Sequence, residues 1–356
     1  RRWVICWIDW MENKPDFYDL DREELKDLLL AMGEPAYRAG QVWSGIYAHS
    51  LAGPQEITSL SKPLRDRLQQ KIQFSRLEPI ERKVSSDKET VKTLFRLPGN
   101  ALVEAVLMHY DERETLCISS QSGCAMNCVF CATGQMGFTR NLSQGEITEQ
   151  VMYYAQELAR SKRKVTNVVI MGMGEPLQNY ESVMGAIRRL NDVDGANLGA
   201  RRFTISTVGI LPQIQRFAAE KSQVNLAVSL HAANDPLRNF LIPVNRKYPL
   251  AALISTCKEY VDLTGRRITF EWALINGVND SLKDAEELAA LVKGMLCHVN
   301  LIPLNPTVIY PGNATTVRRA QEFRHVLDAH GIPCTIRLPR GIDIQAGCGQ
   351  LAARHS

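Results

Sequence analysis

The 356-residue chain lacks several features that would place it in a specialised class of protein. No apolar run approaches the roughly 20 residues that a membrane-spanning helix requires, and no low-complexity linker divides the sequence. The excess of basic residues is slight, with 42 Lys and Arg against 38 Asp and Glu, so the charge permits nucleic-acid binding without requiring it. These absences predict a soluble, cytoplasmic globular protein with no membrane association.

A secretion signal and the cysteine spacing of a small disulfide-stabilised protein are also absent. The first ten residues, RRWVICWIDW, include Asp9, and no small-residue cleavage site follows them. We expect the natural start to be Met11 and residues 1–10 to derive from an upstream start. Nine cysteines are present, and three of them crowd into one short segment. In a chain without a secretion signal, this clustering indicates a metal or redox site rather than disulfide bonds.

Strand and helix patterns alternate from residue 115 to the end of the chain. Six apolar, β-branched stretches are each followed by an amphipathic stretch, and a last strand pattern, PCTIRLP, closes the series. Such β/α units in series require a parallel sheet, whose ligands bind at the carboxyl ends of the strands. Before this region, residues 11–75 have helical patterns. Asp21 with Glu24, and Ser143 with Glu146, have the spacing of capping boxes that begin helices.

The cysteine cluster follows the first strand of this series, where the fold would place a ligand. Its members are Cys124, Cys128 and Cys131, in the pattern CxxxCxxC. A cubane iron–sulfur cluster normally takes four thiolates, so three cysteines leave one iron open to another ligand, as a reactive site requires. The alternative is a structural zinc site completed by Cys117 or a histidine, because zinc also favours short cysteine spacings. That alternative predicts a non-catalytic, zinc-stabilised RNA-binding factor.

The cysteine pattern at this position resembles that of the radical S-adenosylmethionine (SAM) superfamily. The longer segment CISSQSGCAMNCVFCATGQMGFTRNLSQGEI is similar to the RlmN/Cfr family of radical SAM RNA adenosine methyltransferases, and the likeness extends from about Met11 to Ala353. The resemblance implies a [4Fe–4S] cluster on the three cysteines, SAM as cofactor, and an α/β fold with a partial (β/α)6 barrel. The expected organisation is a helical, RNA-binding N-terminal accessory domain (1–75), a β-rich connecting segment (76–114), the barrel (115–310) and a C-terminal extension (311–356).

The resemblance also assigns SAM contacts to residues that follow the barrel strands. They are Gly174, Glu175, Ser206, Ser229, Leu230, His231 and Asn305. Taken singly, each polar residue of this set has an ordinary alternative as a polar group satisfied within the protein. A tight turn between strand and helix explains the glycines equally well.

Three further residues receive chemical roles from the resemblance. Cys348, between Gly347 and Gly349, would become S-methylated and carry the methyl group to RNA. Cys117 would release the product by forming a disulfide with Cys348, and Glu104 would remove a proton. The residues themselves leave alternatives open, since Cys117 also suits a small apolar strand position and Glu104 an exposed one. A carboxylate near burial can also have a raised pKa and act as a base.

The family implies a reaction that consumes two molecules of SAM for each methyl group transferred. GQMGFTRNL favours the RlmN branch, which modifies carbon 2 of an adenosine in 23S rRNA and of an adenosine next to the anticodon in tRNA. The alternative within the family is the Cfr type, which modifies carbon 8 of the same rRNA adenosine. A third alternative is a radical SAM activase, which generates a radical on another protein and has no use for Cys348. The expected partners are the two RNAs and an electron donor such as flavodoxin, and the expected state is a monomer.

Overall fold

The computed structural model of the protein describes residues 14–307, 309–337, 341, 343–344 and 349–355. The predicted start at Met11, residues 1–10 and Cys348 lie outside this part of the chain. Within it, none of the helices is long and apolar enough to cross a lipid bilayer.

The secondary structure is a mixture of helices and strands in the predicted alternation. The helices are α1 (Arg22–Ala31), α2 (Tyr37–Trp43), α3 (Lys62–Lys71), α4 (Ala132–Gln135), α5 (Gln144–Arg160), α6 (Tyr180–Leu190), α7 (Leu211–Ala219), α8 (Asp235–Leu241), α9 (Leu250–Thr264), α10 (Leu282–Val292), α11 (Val317–Ala329) and α12 (Ala352–His355). The strands are β1 (Glu78–Val84), β2 (Thr90–Arg96), β3 (Leu102–Tyr110), β4 (Arg113–Cys117), β5 (Gln121–Gly123), β6 (Phe138–Asn141), β7 (Asn167–Ile170), β8 (Phe203–Thr207), β9 (Asn225–Ser229), β10 (Ile268–Leu274), β11 (Cys297–Pro303) and β12 (Cys334–Ile336).

One ten-stranded sheet organises the described residues, with the order β1-β2-β3-β4-β7-β8-β9-β10-β11-β12. Strands β1 to β4 pair antiparallel, whereas β4 and the strands from β7 onward pair parallel. A helix lies in each of the six connections between successive parallel strands. This is the predicted α/β architecture of a partial barrel, with β1 to β3 added at one side. The small β5–β6 ribbon lies in the loop after β4.

Both predicted capping boxes are present. The Asp21 side chain accepts from the backbone N–H of Glu24, and the Glu24 carboxylate accepts from the N–H of Asp21, each at 2.8 Å. Ser143 and Glu146 make the same reciprocal bonds at the start of α5, at 3.1 and 2.9 Å. These caps satisfy amides that the first turn of a helix leaves without partners, so the sequence marks where both helices begin.

The N-terminal segment has an aromatic core of its own and meets the barrel at a partly buried polar junction. Phe17 stacks on Phe74 with ring centroids 5.0 Å apart, and both side chains are buried. At the junction, the Asp19 carboxylate accepts from the N–H of Gly145 at 2.7 Å, near the start of α5. The Glu149 carboxylate, also on α5, accepts from the N–H of Arg76 at 2.9 Å. The helical segment is therefore anchored to the first helix of the barrel.

The segment ETLCISSQ has the apolar pattern of a single strand, but the structure divides it. Strand β4 ends at Cys117, and β5 begins at Gln121. Between them, the Ser119 hydroxyl donates to the Glu104 carbonyl at 2.6 Å and accepts from the N–H of Met173 at 2.9 Å. A serine that bonds the backbone of two other segments favours a loop over a strand ladder. This break turns the chain toward the cysteines.

Candidate active site

A cavity of about 230 Å³ opens at the carboxyl ends of the parallel strands, where the fold was expected to bind ligands. Its walls include all three clustered cysteines and residues that follow β7, β8 and β9. Of the residues predicted from the sequence, the lining includes Cys124, Cys128, Cys131, Gly174, Glu175, Ser206, Ser229 and His231. The structure thus brings the predicted cluster ligands and most of the predicted SAM contacts to one place.

The three cysteine side chains fit an iron–sulfur cluster. Burial raises the pKa of Cys124 to about 12 and raises that of Cys128 as well, so the positive charge of a bound metal centre would favour their thiolate forms. In a cubane each thiolate binds a different iron, so the sulfurs stand farther apart than the ligands of one ion. A mononuclear zinc site needs ligands that converge on one point. Among the described residues, no three His, Cys, Asp or Glu side chains converge in that way.

The glycines after β7 allow two segments of the chain to approach closely. A Cβ on Gly172 would lie 2.6 Å from the carbonyl oxygen of Ile118. Gly174 has a φ of +104°, and a Cβ there would lie 2.8 Å from the backbone nitrogen of Gln121. Any side chain at these positions would push the loop after β7 away from the loop after β4. The glycines therefore shape the cavity wall by backbone packing, which is the alternative that the sequence left open.

Glu175 is buried in the cavity wall and binds backbone amides. Its carboxylate accepts from the N–H of Leu177 at 3.0 Å and from the N–H of Val208 at 2.9 Å. Burial raises the pKa of Glu175 to about 7, and the bond to Val208 opposes the rise. The carboxylate thus holds together the loops after β7 and β8. It also gives the cavity an anionic group that a bound cation would neutralise.

The ends of β8 and β9 present hydroxyl and imidazole groups to the cavity. Ser206 and Ser229 lie side by side, with their hydroxyl oxygens 3.3 Å apart. The Nδ1 atom of His231 accepts from the N–H of Ala273 at 2.8 Å, and burial lowers the pKa of His231 to about 3. The ring is therefore neutral, and its proton is on Nε2. The site offers two hydroxyls and one N–H donor to a polar ligand.

Two of the predicted SAM contacts do not contribute to this lining. The Leu230 side chain is fully buried in the core, and the residue bonds the backbone of β10 through its N–H, 3.0 Å from the Glu271 carbonyl. Asn305 is half-buried two residues after β11, outside the residues that line the cavity. Contact between either residue and SAM stays a prediction.

Two buried polar residues near the cavity were missed in the sequence. Arg238 is fully buried and donates to the carbonyls of Leu230, Val208 and Ser229 at 3.1, 2.8 and 3.2 Å. Glu271 lines the cavity and accepts from the Asn300 amide at 2.8 Å. Neither residue belongs to a short motif. For Glu271 the sequence did offer a signal, because it is a charged residue within the apolar strand pattern ITFEWALI.

A second group of predicted residues lies on one face of the sheet beside the cavity. Glu104 is 2% exposed, so the alternative of an exposed strand position is wrong. Its carboxylate lies 2.8 Å from the ammonium group of Lys92. Lys92 pairs with Val106, and Val106 with Cys117, so these side chains share a face. Cys117 is a half-buried free thiol, and burial raises its pKa to about 12.

The turn that follows Cys348 covers this face. The backbone N–H of Gly349 donates to one oxygen of the Glu104 carboxylate at 2.8 Å. Those of Leu351 and Ala352 donate to the other oxygen, each at 2.7 Å. A Cβ on Gly349 would lie 2.7 Å from the backbone nitrogen of Thr133, two residues after Cys131. The turn thus lies between the cysteine loop and the sheet face that bears Cys117.

Two protein-family models match separate parts of the chain. Residues 118–292 match the radical SAM superfamily model. Residues 15–74 match the model of the ribosomal RNA large subunit methyltransferase N-terminal domain. The first match contains the cavity and its cysteines, and the second contains the helices α1 to α3.

Full-length relatives show the same likeness. The chain is 46% identical over 350 residues to a probable dual-specificity RNA methyltransferase RlmN of Chloroflexus aurantiacus, covering 95% of this chain and 93% of that one. It is 43% identical to the protein of the same name from Bacillus cereus, over 96% and 94%. Among solved structures, a radical SAM methyltransferase from Sphaerobacter thermophilus superimposes with a TM-score of 0.91 at 50% identity, over 94% of this chain and 98% of that one.

Proposed function

The chain belongs to the RlmN family of radical SAM RNA methyltransferases, and we propose that it methylates carbon 2 of an adenosine in 23S rRNA and of an adenosine next to the anticodon in tRNA, using Cys348 as methyl carrier. Membership confirms the resemblance seen in the cysteine segment, and with it the enzyme class and the use of a [4Fe–4S] cluster and SAM. The position on the base, the carrier and the two RNAs are the proposal.

One observation supports the carrier role more than any other. The turn that begins directly after Cys348 is fastened to Glu104 and packed on Thr133 beside the cysteine loop. The turn itself is therefore close to the cysteine loop and to the sheet face that bears Cys117, and Cys348 is the residue directly before it in the sequence. A methyl carrier needs this location, because it must receive the group in the cavity and then meet the thiol that resolves it.

The cavity residues have distinct proposed tasks. Bound at the three cysteines, the cluster and SAM supply radical chemistry that no protein side chain provides. Cys124, Cys128 and Cys131 hold three irons. The hydroxyls of Ser206 and Ser229 and the Nε2–H of His231 orient SAM by hydrogen bonds. Glu175 offers its carboxylate to a positive charge of the bound molecule.

The residues on the neighbouring sheet face have the remaining tasks. Cys348 accepts the methyl group on its sulfur and presents it to the adenine. Once the carbon on the Cys348 sulfur is bonded to the adenine, Glu104 removes a proton from the base. Cys117, as the thiolate, attacks the Cys348 sulfur, so that a disulfide forms while the carbon–sulfur bond to the RNA breaks, and the released carbon takes a proton to become the methyl group. Burial raises the pKa of Cys117 to about 12, so the group is a thiol at neutral pH and must lose its proton to attack.

The experiment that tests the carrier uses three cysteine variants. The anaerobically reconstituted enzyme is incubated with SAM bearing a deuterated methyl group, reductant and an rRNA fragment, and the peptides and RNA are analysed by mass spectrometry. We expect the label on Cys348, no product with Cys348→Ser, and a protein–RNA adduct with Cys117→Ser. Cys334→Ser, which alters a half-buried thiol on β12, is the control and should be active. Product formation by Cys348→Ser would disprove the carrier role.

A further inference from the structure

Lys92 is a buried cation for which the proposed mechanism gives no task. It lies in the middle of β2, and its side chain has no exposed surface. Removing an ammonium group from water is costly unless a counter-charge meets it. Here the counter-charge is the Glu104 carboxylate, 2.8 Å from the lysine Nζ atom and itself buried. A pair of this kind is strongly coupled, so each partner depends on the other.

The pair follows from the register of the β2–β3 hairpin. Lys92 lies opposite Val106, and Leu94 lies opposite Glu104. Lys92 and Glu104 are therefore diagonal neighbours on one face of the sheet, a separation that long side chains can bridge. Because the backbone sets this register, the ammonium group is held where it meets the carboxylate.

Both oxygens of the Glu104 carboxylate bind donors while the turn is attached to the sheet. One oxygen accepts from the N–H groups of Leu351 and Ala352. The other accepts from the N–H of Gly349 and faces Lys92. The Lys92 ammonium group and the Gly349 amide meet the same carboxylate oxygen, so the lysine helps to orient the carboxylate that attaches the turn to the sheet.

We propose that Lys92 is a positioning residue for methyl transfer, which acts through the Glu104 carboxylate to fasten the 349–352 turn, the segment that directly follows Cys348 in the sequence. This inference rests on the proposed role of Cys348 as methyl carrier. The contact through which Lys92 acts is its ion pair with Glu104. In a variant without the lysine, the turn still has the amides that bind Glu104, but the charge that holds the Glu104 carboxylate in place is missing.

The test compares Lys92→Met with Lys92→Arg. Methionine preserves much of the apolar stem and removes the charge, whereas arginine retains the charge. The control is Lys83→Met on β1, because Lys83 is a partly buried lysine of the same sheet that pairs with Glu81 at 3.2 Å rather than with Glu104. All are measured as anaerobic holoenzymes, first for iron content and thermal midpoint, then for amide hydrogen exchange of residues 349–355 and for the rate of RNA methylation.

We expect Lys92→Met to bind a full cluster, to exchange its 349–355 amides faster than the wild type, and to methylate RNA about 100-fold more slowly, the loss typical of a misplaced reacting group. Lys92→Arg should restore most of the wild-type exchange protection and most of the wild-type methylation rate. Lys83→Met should match the wild type in both. If Lys92→Met does not retain its cluster, Lys92→Gln replaces it, with the same expectations.

Unchanged exchange of the 349–355 amides in Lys92→Met overturns the proposal, as does an unchanged rate. If Lys92→Met lowers the thermal midpoint and slows all steps, and Lys92→Arg restores neither, the role of Lys92 is merely structural and the proposal is overturned. Failure of the wild type to methylate Cys348 would instead disprove the proposed function, and the exchange measurement would still decide whether Lys92 fastens the turn.

Discussion

At the scale of single residues, Arg238 shows how a buried charge supports the cavity. Its guanidinium group is fully buried and joins the loop after β8 to the end of β9 through three carbonyl oxygens. A fourth bond reaches the Asn245 side chain at 2.6 Å. Guanidinium has five donors in a fixed plane, so no other side chain can make this set of bonds.

We therefore expect Arg238→Met to lower the free energy of unfolding by about 3 kcal/mol, because it leaves several buried carbonyls without a donor. Urea unfolding followed by circular dichroism measures the change. Arg318→Met is the matched control, since the Arg318 side chain is 89% exposed and its loss should cost less than about 0.5 kcal/mol. Equal stability of the two variants would contradict the role of Arg238.

Gly349 provides a second prediction about one residue. Its φ is +76°, and a Cβ would meet the backbone of Thr133, so Gly349→Ala should displace the turn and slow RNA methylation by about 100-fold with iron content unchanged. Gly331→Ala has a similar φ of +70° and nothing within 4 Å, so it reproduces the backbone strain alone. If both variants retain the wild-type rate in a methylation assay, the turn does not control the reaction.

The residues of this site differ in how far the sequence reveals them. The three clustered cysteines were evident from spacing, because one short loop must carry them. Lys92 was not recognised, although the turn at Pro98–Asn100 joins β2 to β3 in a register that makes Lys92 a diagonal neighbour of Glu104. Arg238 could not be recognised, because its partners are carbonyl groups from separate strands, which leave no trace in residue types.

At the scale of elements, the junction between the N-terminal segment and α5 depends on buried carboxylates. Burial raises the pKa of Glu149 to about 7 and that of Asp16 to about 6. The folded state therefore binds protons more tightly than the unfolded chain. The stability that this contributes is fully present below the ordinary pKa values, near 4, and is lost as the pH rises to about 7.

We expect the thermal midpoint to fall between pH 5 and pH 8, and Glu149→Gln to reduce that fall by the equivalent of about 2 kcal/mol. Glu157→Gln, which removes a partly exposed carboxylate paired with Arg82, should leave the slope as in the wild type. Calorimetry at matched ionic strength gives both slopes. A midpoint that rises with pH in the wild type would show that these carboxyl groups are not the cause.

Elements with strong periodic patterns were predicted well, and elements at the edge were not. The apolar runs of β7 to β11 and the capping box of α5 predicted those elements within a few residues. Strand β1 was missed, because it is an edge strand that is mostly exposed, with the charged sequence EPIERKV. Helix α8 was missed because it is only seven residues long, although Asn234 before Asp235-Pro236 is a typical helix start.

At the scale of the whole molecule, three parts of the chain meet at one end of the parallel sheet. The barrel supplies the cysteine loop and the cavity, the β2–β3 hairpin supplies the face with Glu104 and Lys92, and the C-terminal turn closes over both. The order of β/α units could be predicted from the sequence. The return of the C-terminal turn to the hairpin could not, because residues about 245 positions apart meet without a local pattern.

The position of the methyl group on the adenine tests the central proposal most directly. The reconstituted enzyme is given SAM, reductant and an rRNA fragment, the RNA is digested to nucleosides, and the nucleosides are separated against both methyladenosine standards by mass spectrometry. The proposal predicts 2-methyladenosine, dependent on the cluster and on Cys348. Formation of 8-methyladenosine would contradict the assigned position, and the absence of SAM cleavage in a protein that binds zinc instead of iron would contradict the account as a whole.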